Sequence, residues 1–163
     1  MTALLSIPIL GILTIIQSAV VSRLPLSRGT ADLILVFLVA IALQKRINYA
    51  LIWSLVGGFF VDFFSGIPFG VFTVSYLIVT SLAAFLRDRI WRFSFLMQLL
   101  VVLAGTVISH GISYLIIFLQ GANPPIATVL QSITMPSLIL NFMLSLPVFI
   151  LTQDVIEQFQ PVE

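Results

Sequence analysis

This chain has no cysteine and very little charge. Without cysteine there is no disulfide, no thiolate metal site and no cysteine nucleophile. Charged residues make up 8% of the 163 residues, while 60% are hydrophobic. A soluble domain carries about 25% charged residues, so this chain has too little polar surface to cover a water-facing globule. A solvating lipid bilayer removes that difficulty. The apolar runs are long and unbroken, unlike the alternating segments of about ten residues that build a membrane β-barrel. The formal net charge is +1 and no basic patch interleaves with aromatics, so nucleic acid is not an expected partner. A single histidine and no second ligand cluster give no metal site, and no cofactor is expected. The start, Met1 to Leu5, has no Lys or Arg ahead of the apolar run, so the first segment is expected to stay as a span and not to be a cleaved leader.

Taken in order, the chain predicts an all-α, polytopic membrane protein, a six-transmembrane-helix bundle forming one membrane domain over 1–163. The expected spans are about 3–21, 31–43, 49–64, 71–86, 93–119 and 126–151, judged against a hydrocarbon core of about 30 Å. Pro8, Gly11, Pro136 and Pro147 fall inside spans, which membrane helices tolerate. Thr30 is the expected N-cap of the second span, with Asp32 expected in the first turn at the interface, where the helix dipole favours a negative charge. Putting both termini in the cytoplasm leaves Lys45, Arg46, Arg87, Arg89 and Arg92 inside and only Arg23 and Arg28 outside, so the positive-inside rule favours N-in/C-in. The basic cluster Arg87, Arg89 and Arg92, with Trp91 beside it, then faces the cytoplasm and anionic membrane lipids.

The most informative stretch is Gly57–Gly70, Gly-Gly-Phe-Phe-Val-Asp-Phe-Phe-Ser-Gly-Ile-Pro-Phe-Gly. It sets one carboxylate, Asp62, among aromatic side chains. Left ionised in hydrocarbon, that group costs about 2.5–3.5 kcal/mol or more. Gly58, Asp62, Gly66 and Gly70 recur every fourth residue, and i and i+4 share a helix face. Glycines on such a face let helices approach closely, either within the fold or toward a partner. Pro68 and the glycines break the helix after Phe64. Asp62 is therefore either a polar hinge or binding point in the bundle, or a turn cap bonded to the amides of Ser65 or Gly66.

His110, with Ser109 and Ser113, forms a polar strip in the fifth segment, and its simplest role is an interhelical hydrogen bond, with Asn141 as a candidate neighbour. No nucleophile–base set, phosphate loop or carboxylate pair stands at informative spacing, so an enzyme is not expected. A proton-coupled channel would want a line of ionisable groups, and the middle of the chain offers only Asp62 and His110.

The run Gly57–Gly70, the following span and Arg87-Asp88-Arg89-Ile90-Trp91-Arg92 resemble the bacterial MreD family of rod shape-determining membrane proteins. Asp62, Gly66 and Gly70 match that family's Gly-x-x-x-Asp block and small-residue turn, with the specific match confined to about residues 55–92. The resemblance implies a non-enzymatic inner-membrane scaffold of the cell-elongation machinery. It implies binding to the single-span protein MreC, with the actin-like MreB and the membrane peptidoglycan synthases as further partners. The sites it implies are Gly58, Asp62, Gly66, Pro68 and Gly70. It also implies the six-helix fold of the substrate-binding subunits of energy-coupling-factor vitamin transporters. Such a subunit is the alternative function, with Asp62, Asn123, Gln131 and Asn141 as its candidate ligands. The Ala-x-x-x-Ala pattern expected in the first helix of those subunits is missing from Ser6–Leu13.

Overall fold

The computed structural model describes residues 5–19, 28–44, 49–87 and 94–159. Most of the described residues are helical, and none of them forms a β-strand. Six helices follow in order: α1 (Ser6–Ala19), α2 (Leu33–Ala42), α3 (Ala50–Phe64), α4 (Val71–Arg87), α5 (Ser94–Leu119) and α6. The last of these starts as Ile126–Val129, widens to a π-helix over Leu130–Thr134 and continues as Met135–Phe159. Two stretches, Phe95–Leu119 and Ile126–Gln153, are long and apolar enough to cross a membrane, and the other four helices are apolar but shorter. The basic positions Lys45, Arg46, Arg89 and Arg92, and Arg23 in the first loop, lie outside the described residues.

The architecture turns on α2. All of Leu33–Ala42 except Phe37 is buried, which fits a helix that is apolar on every side. It touches each of the other five helices, which wrap it in the order α1, α3, α4, α5, α6. Gly57 on α3 lets that helix close on the core, because a Cβ there would press on Ile34, Leu38 and Leu10 at 3.1–3.5 Å. At the far end of α2, Arg87 of α4 donates from Nη1 to the Gln44 carbonyl at 3.3 Å.

Polarity is distributed inside out. Phe63, Phe64, Phe69 and Leu119 are each 63–71% exposed. Ser54, Asp62, Gln98, Thr106, Ser109, Asn141 and Ser145 are buried. The α5–α6 seam follows this rule closely. Gln98, Thr106, Ser109 and Ser113 on α5 and Thr134, Ser137, Asn141 and Ser145 on α6 are all buried. Several hydroxyls satisfy themselves on the preceding turn, as Thr106 does on Val102 O at 2.8 Å and Ser145 on Asn141 O at 2.7 Å. Such side chains let two helices approach closely, and among the described residues only Gln98 Oε1 and Ser109 Oγ of this seam are left without a hydrogen-bond partner.

The π-helix has an identifiable cause. Pro136 has no N–H, so the Ser132 carbonyl loses its normal helical donor. The ladder shifts instead, and the Met135 amide donates to Leu130 O. The Arg28 amide, from the segment before α2, takes the vacated Ser132 oxygen at 3.1 Å. Two residues on, Thr30 N–H donates to Ser137 Oγ at 3.1 Å, and two further, Asp32 N–H donates to Asn141 Oδ1 at 2.6 Å. Residues 28–32 thus form an extended strap docked along α6 by alternate amides. Gly29 is required in the strap, since a Cβ there would stand 2.6 Å from Pro136 Cβ and 2.7 Å from Ile133 O.

Candidate functional site: the Asp62 hairpin and the Asp32 cluster

The α3–α4 hairpin is built around Asp62. α3 ends at Phe64, with the Ser65 amide still bonded to Val61 O at 2.8 Å. Gly70 then takes a left-handed φ of +98°, which only glycine adopts without strain, and the chain reverses into α4. That reversal points the first amides of α4 back at α3. Asp62 Oδ1 accepts from Phe72 N at 2.9 Å, and Oδ2 accepts from Thr73 N at 3.0 Å and from Thr73 Oγ1 at 2.6 Å. The carboxylate is 4% exposed, and the orphan amides of a helix N-terminus neutralise it. Asp62 is a cap, but of the next helix and not of its own turn. The amides of Ser65 and Gly66 are not its partners, because both lie on the far side of the α3 terminus; only a 3.4 Å bond from the Ser65 hydroxyl to the Asp62 carbonyl links them.

The four-residue strip is only partly a packing face. At Gly58 an added Cβ would collide with Thr73 Cα, so this glycine allows α3 and α4 to touch. Gly66 and Gly70 have nothing within 4 Å of such a Cβ, because the helix has already ended. Gly70 acts through its φ, and Gly66 lies exposed in the turn. Pro68 accepts from the Val71 amide at 3.3 Å and so belongs to the turn itself. The turn folds back so that Phe69 meets Phe59 edge-on at 5.4 Å, with Phe63 beside Phe59 at 6.1 Å.

A second carboxylate, at the start of α2, meets α4 one helical turn beyond Thr73, at Tyr76. Asp32 caps α2, with Oδ1 accepting from Leu35 N at 3.0 Å. The expectation of Thr30 as the cap, with Asp32 in the first turn, is corrected: Asp32 is itself the cap and the helix begins at Leu33, because its carboxylate reaches the Leu35 amide. Its surroundings are the bundle interior and not an interface. The buried Tyr76 hydroxyl donates to it, 2.8 Å from Oδ1 and 2.7 Å from Oδ2. Asn141 accepts from the Asp32 amide and donates through Nδ2 to Thr106 Oγ1 at 2.8 Å. Gln17 on α1 accepts from the Ile34 amide at 3.2 Å. Helices α1, α2, α4, α5 and α6 therefore meet at one polar cluster.

Comparison of the chain with protein-family models, with characterised proteins and with solved structures finds no match. The site is thus described by its own chemistry. His110 is held by Thr134 at 3.1 Å, an interhelical bond between α5 and α6, and Asn141 belongs to the Asp32 cluster instead. No group of three metal-capable side chains occurs among the described residues. The four solute-binding candidates do not converge. Asn123 and Gln131 are exposed, while Asp62 and Asn141 are buried and engaged elsewhere. A cleft of about 210 Å³ between α1 and the hairpin, walled by Thr14, Gln17, Ser18, Val61, Phe64 and Phe72, includes none of those four. Tyr76, Thr73 and Thr106 were not singled out from the sequence. The available signal was a phenol in an apolar helix, since a buried Tyr hydroxyl needs a partner.

Proposed function

We propose that this chain is a multi-pass protein of a bacterial inner membrane and a non-enzymatic scaffold of the cell-elongation machinery, as its resemblance to the MreD family implies. The membrane part is supported by the inverted polarity: large apolar side chains cover the outside and hydroxyls, amides and carboxylates fill the inside. The short helix α2 fits this reading. Its 10 residues rise only about 15 Å, roughly half a hydrocarbon core. The strap that completes it has its amides bonded to α6, which is how non-helical backbone is tolerated at membrane depth.

The observation that carries the scaffold reading is the Asp62 cap. Its carboxylate accepts three hydrogen bonds from α4 and holds the hairpin in a single shape. A carboxylate so engaged is a structural device, not an acid, base or ligand. It fixes the turn 65–70 and the exposed rings of Phe63, Phe64 and Phe69 as a rigid surface at one end of the bundle. On the N-in/C-in orientation that end faces outward, toward the periplasmic side of MreC. On the same orientation Arg87, at the end of α4, is toward the cytoplasm, with MreB and anionic lipids on that side. The vitamin-transporter reading gains no support from the scattered Asp62, Asn123, Gln131 and Asn141.

The test is co-purification from native membranes, with partners identified by mass spectrometry. MreC is expected with the wild-type chain, and Asp62→Ala or a bulky replacement of Gly66 is expected to weaken the complex and round rod-shaped cells. Normal shape and normal MreC recovery in both variants would rule the hairpin out as the partner surface. A tightly bound vitamin in the purified protein would revive the transporter reading.

A further inference from the structure

The two buried-end carboxylates of this bundle are not solvated alike. Asp62 receives three protons from three donors, Phe72 N, Thr73 N and Thr73 Oγ1. Asp32 accepts from the Leu35 amide and the Tyr76 hydroxyl, with the Ile34 amide, shared with Gln17, also turned toward it. Yet the Tyr76 oxygen lies within short hydrogen-bond distance of both Asp32 oxygens, at 2.8 and 2.7 Å. A phenol carries one proton and can place it well on one acceptor only. Two such short O···O contacts are each given a hydrogen of their own when two protons run in opposite directions. The hydroxyl donates to one oxygen and the protonated acid donates back from the other.

Among the described residues, no cationic side chain is bonded to the Asp32 carboxyl group. The polar groups brought to the start of α2 are Gln17 from α1, Tyr76 from α4 and Asn141, with Thr106 behind it, from α6 and α5. All are uncharged. Asp62 is occupied by the α4 N-terminus, and His110 is held by Thr134. Arg28 reaches this region through its backbone amide, which is bonded to Ser132. An ionised Asp32 would have the first amides of α2, Leu35 N–H foremost, and one shared phenolic proton as its support.

We propose that Asp32 is a proton-binding site, with the neutral acid as the resting form, Oδ2–H donating to the Tyr76 oxygen and Tyr76 O–H donating to Oδ1. Binding adds one proton from water to Oδ2 and breaks no covalent bond between heavy atoms. Asp32 is partly exposed, so water reaches it. Losing the proton leaves two oxygens competing for one phenolic hydrogen and weakens the tie between α2 and α4. Because α2 touches every other helix, the proton acts at the centre of the bundle. The inference stands on hydrogen-bond geometry and is independent of the scaffold reading.

The experiment uses the full-length chain purified in detergent. Infrared spectra at neutral pH are expected to show a protonated-carboxyl carbonyl band that disappears in Asp32→Asn and shifts in Tyr76→Phe. Asparagine reproduces the neutral acid, donating from Nδ2 and accepting at Oδ1, and it caps a helix as well as aspartate does. Asp32→Asn is therefore expected to keep the wild-type unfolding midpoint at neutral pH, and Asp32→Ala to lose it. As pH rises, wild type is expected to fall below Asp32→Asn. Absence of the band from wild type, its persistence in Asp32→Asn, or a wild-type midpoint that holds at high pH while Asp32→Asn drops with Asp32→Ala would each overturn the proposal. The spectra of wild type and Tyr76→Phe decide the matter even where an Asp32 variant fails to fold.

Discussion

Asp62 on α3 and Thr73 on α4 are joined twice, through the Thr73 amide at 3.0 Å and the Thr73 hydroxyl at 2.6 Å, both to the same carboxylate oxygen. One residue of α3 thereby caps the helix that follows it across a turn. The same Thr73 has its Cα against Gly58, one turn before Asp62. A backbone contact and a charge-assisted cap therefore fix a single crossing of the two helices.

Removing the carboxylate leaves two buried amides and a hydroxyl without an acceptor. Asp62→Ala is expected to destabilise the fold by about 3 kcal/mol, given roughly 1–3 kcal/mol for each buried group left unsatisfied and partial relief by water. Asp62→Asn keeps an acceptor oxygen and should cost about 1 kcal/mol. Thermal unfolding followed by circular dichroism in detergent measures both, and an Ala variant as stable as wild type would refute the cap.

Two glycines in one motif should behave oppositely. Gly58→Ala drives a methyl group into Thr73 and is expected to cost about 3 kcal/mol, at the upper end of ordinary overpacking. Gly66→Ala meets nothing within 4 Å and is expected to stay within about 0.5 kcal/mol. Equal effects in the same unfolding assay would mean that the strip packs as one face, contrary to the geometry.

Asn141 couples the strap to α5. Asn141→Leu strands the Asp32 amide and is expected to cost about 2 kcal/mol. Thr106→Val removes the other partner of the same amide group. In a double-mutant cycle the two changes should cost at least about 0.5 kcal/mol less together than their sum. Strict additivity would show that the Asn141–Thr106 bond does not form.

Pro136 is expected to hold the strap indirectly. Pro136→Ala restores an N–H that competes with Arg28 for the Ser132 carbonyl, so α6 can relax from π to α geometry. Hydrogen exchange at the Arg28 and Thr30 amides should accelerate, while exchange in the α2 interior should not. Unchanged protection of those two amides would show that the proline does not set the strap.

The composition, the apolar segments and their breakers were enough to determine an all-helical chain with its helices near where they form. They rest on local chemistry: hydrophobic runs, prolines, glycines and a capping residue act over a few positions. Asp62 was legible as exceptional because a carboxylate among phenylalanines must be satisfied somewhere. Its partner was not, since Thr73 is eleven residues on and comes within reach only through the left-handed turn at Gly70. Asp32 was legible as a helix start but not as a meeting point, because Tyr76 and Asn141 are 44 and 109 residues away. Nothing in sequence spacing brings such groups together. That was decided by packing five helices around α2, which brings polar groups from different helices within bonding distance inside the bundle.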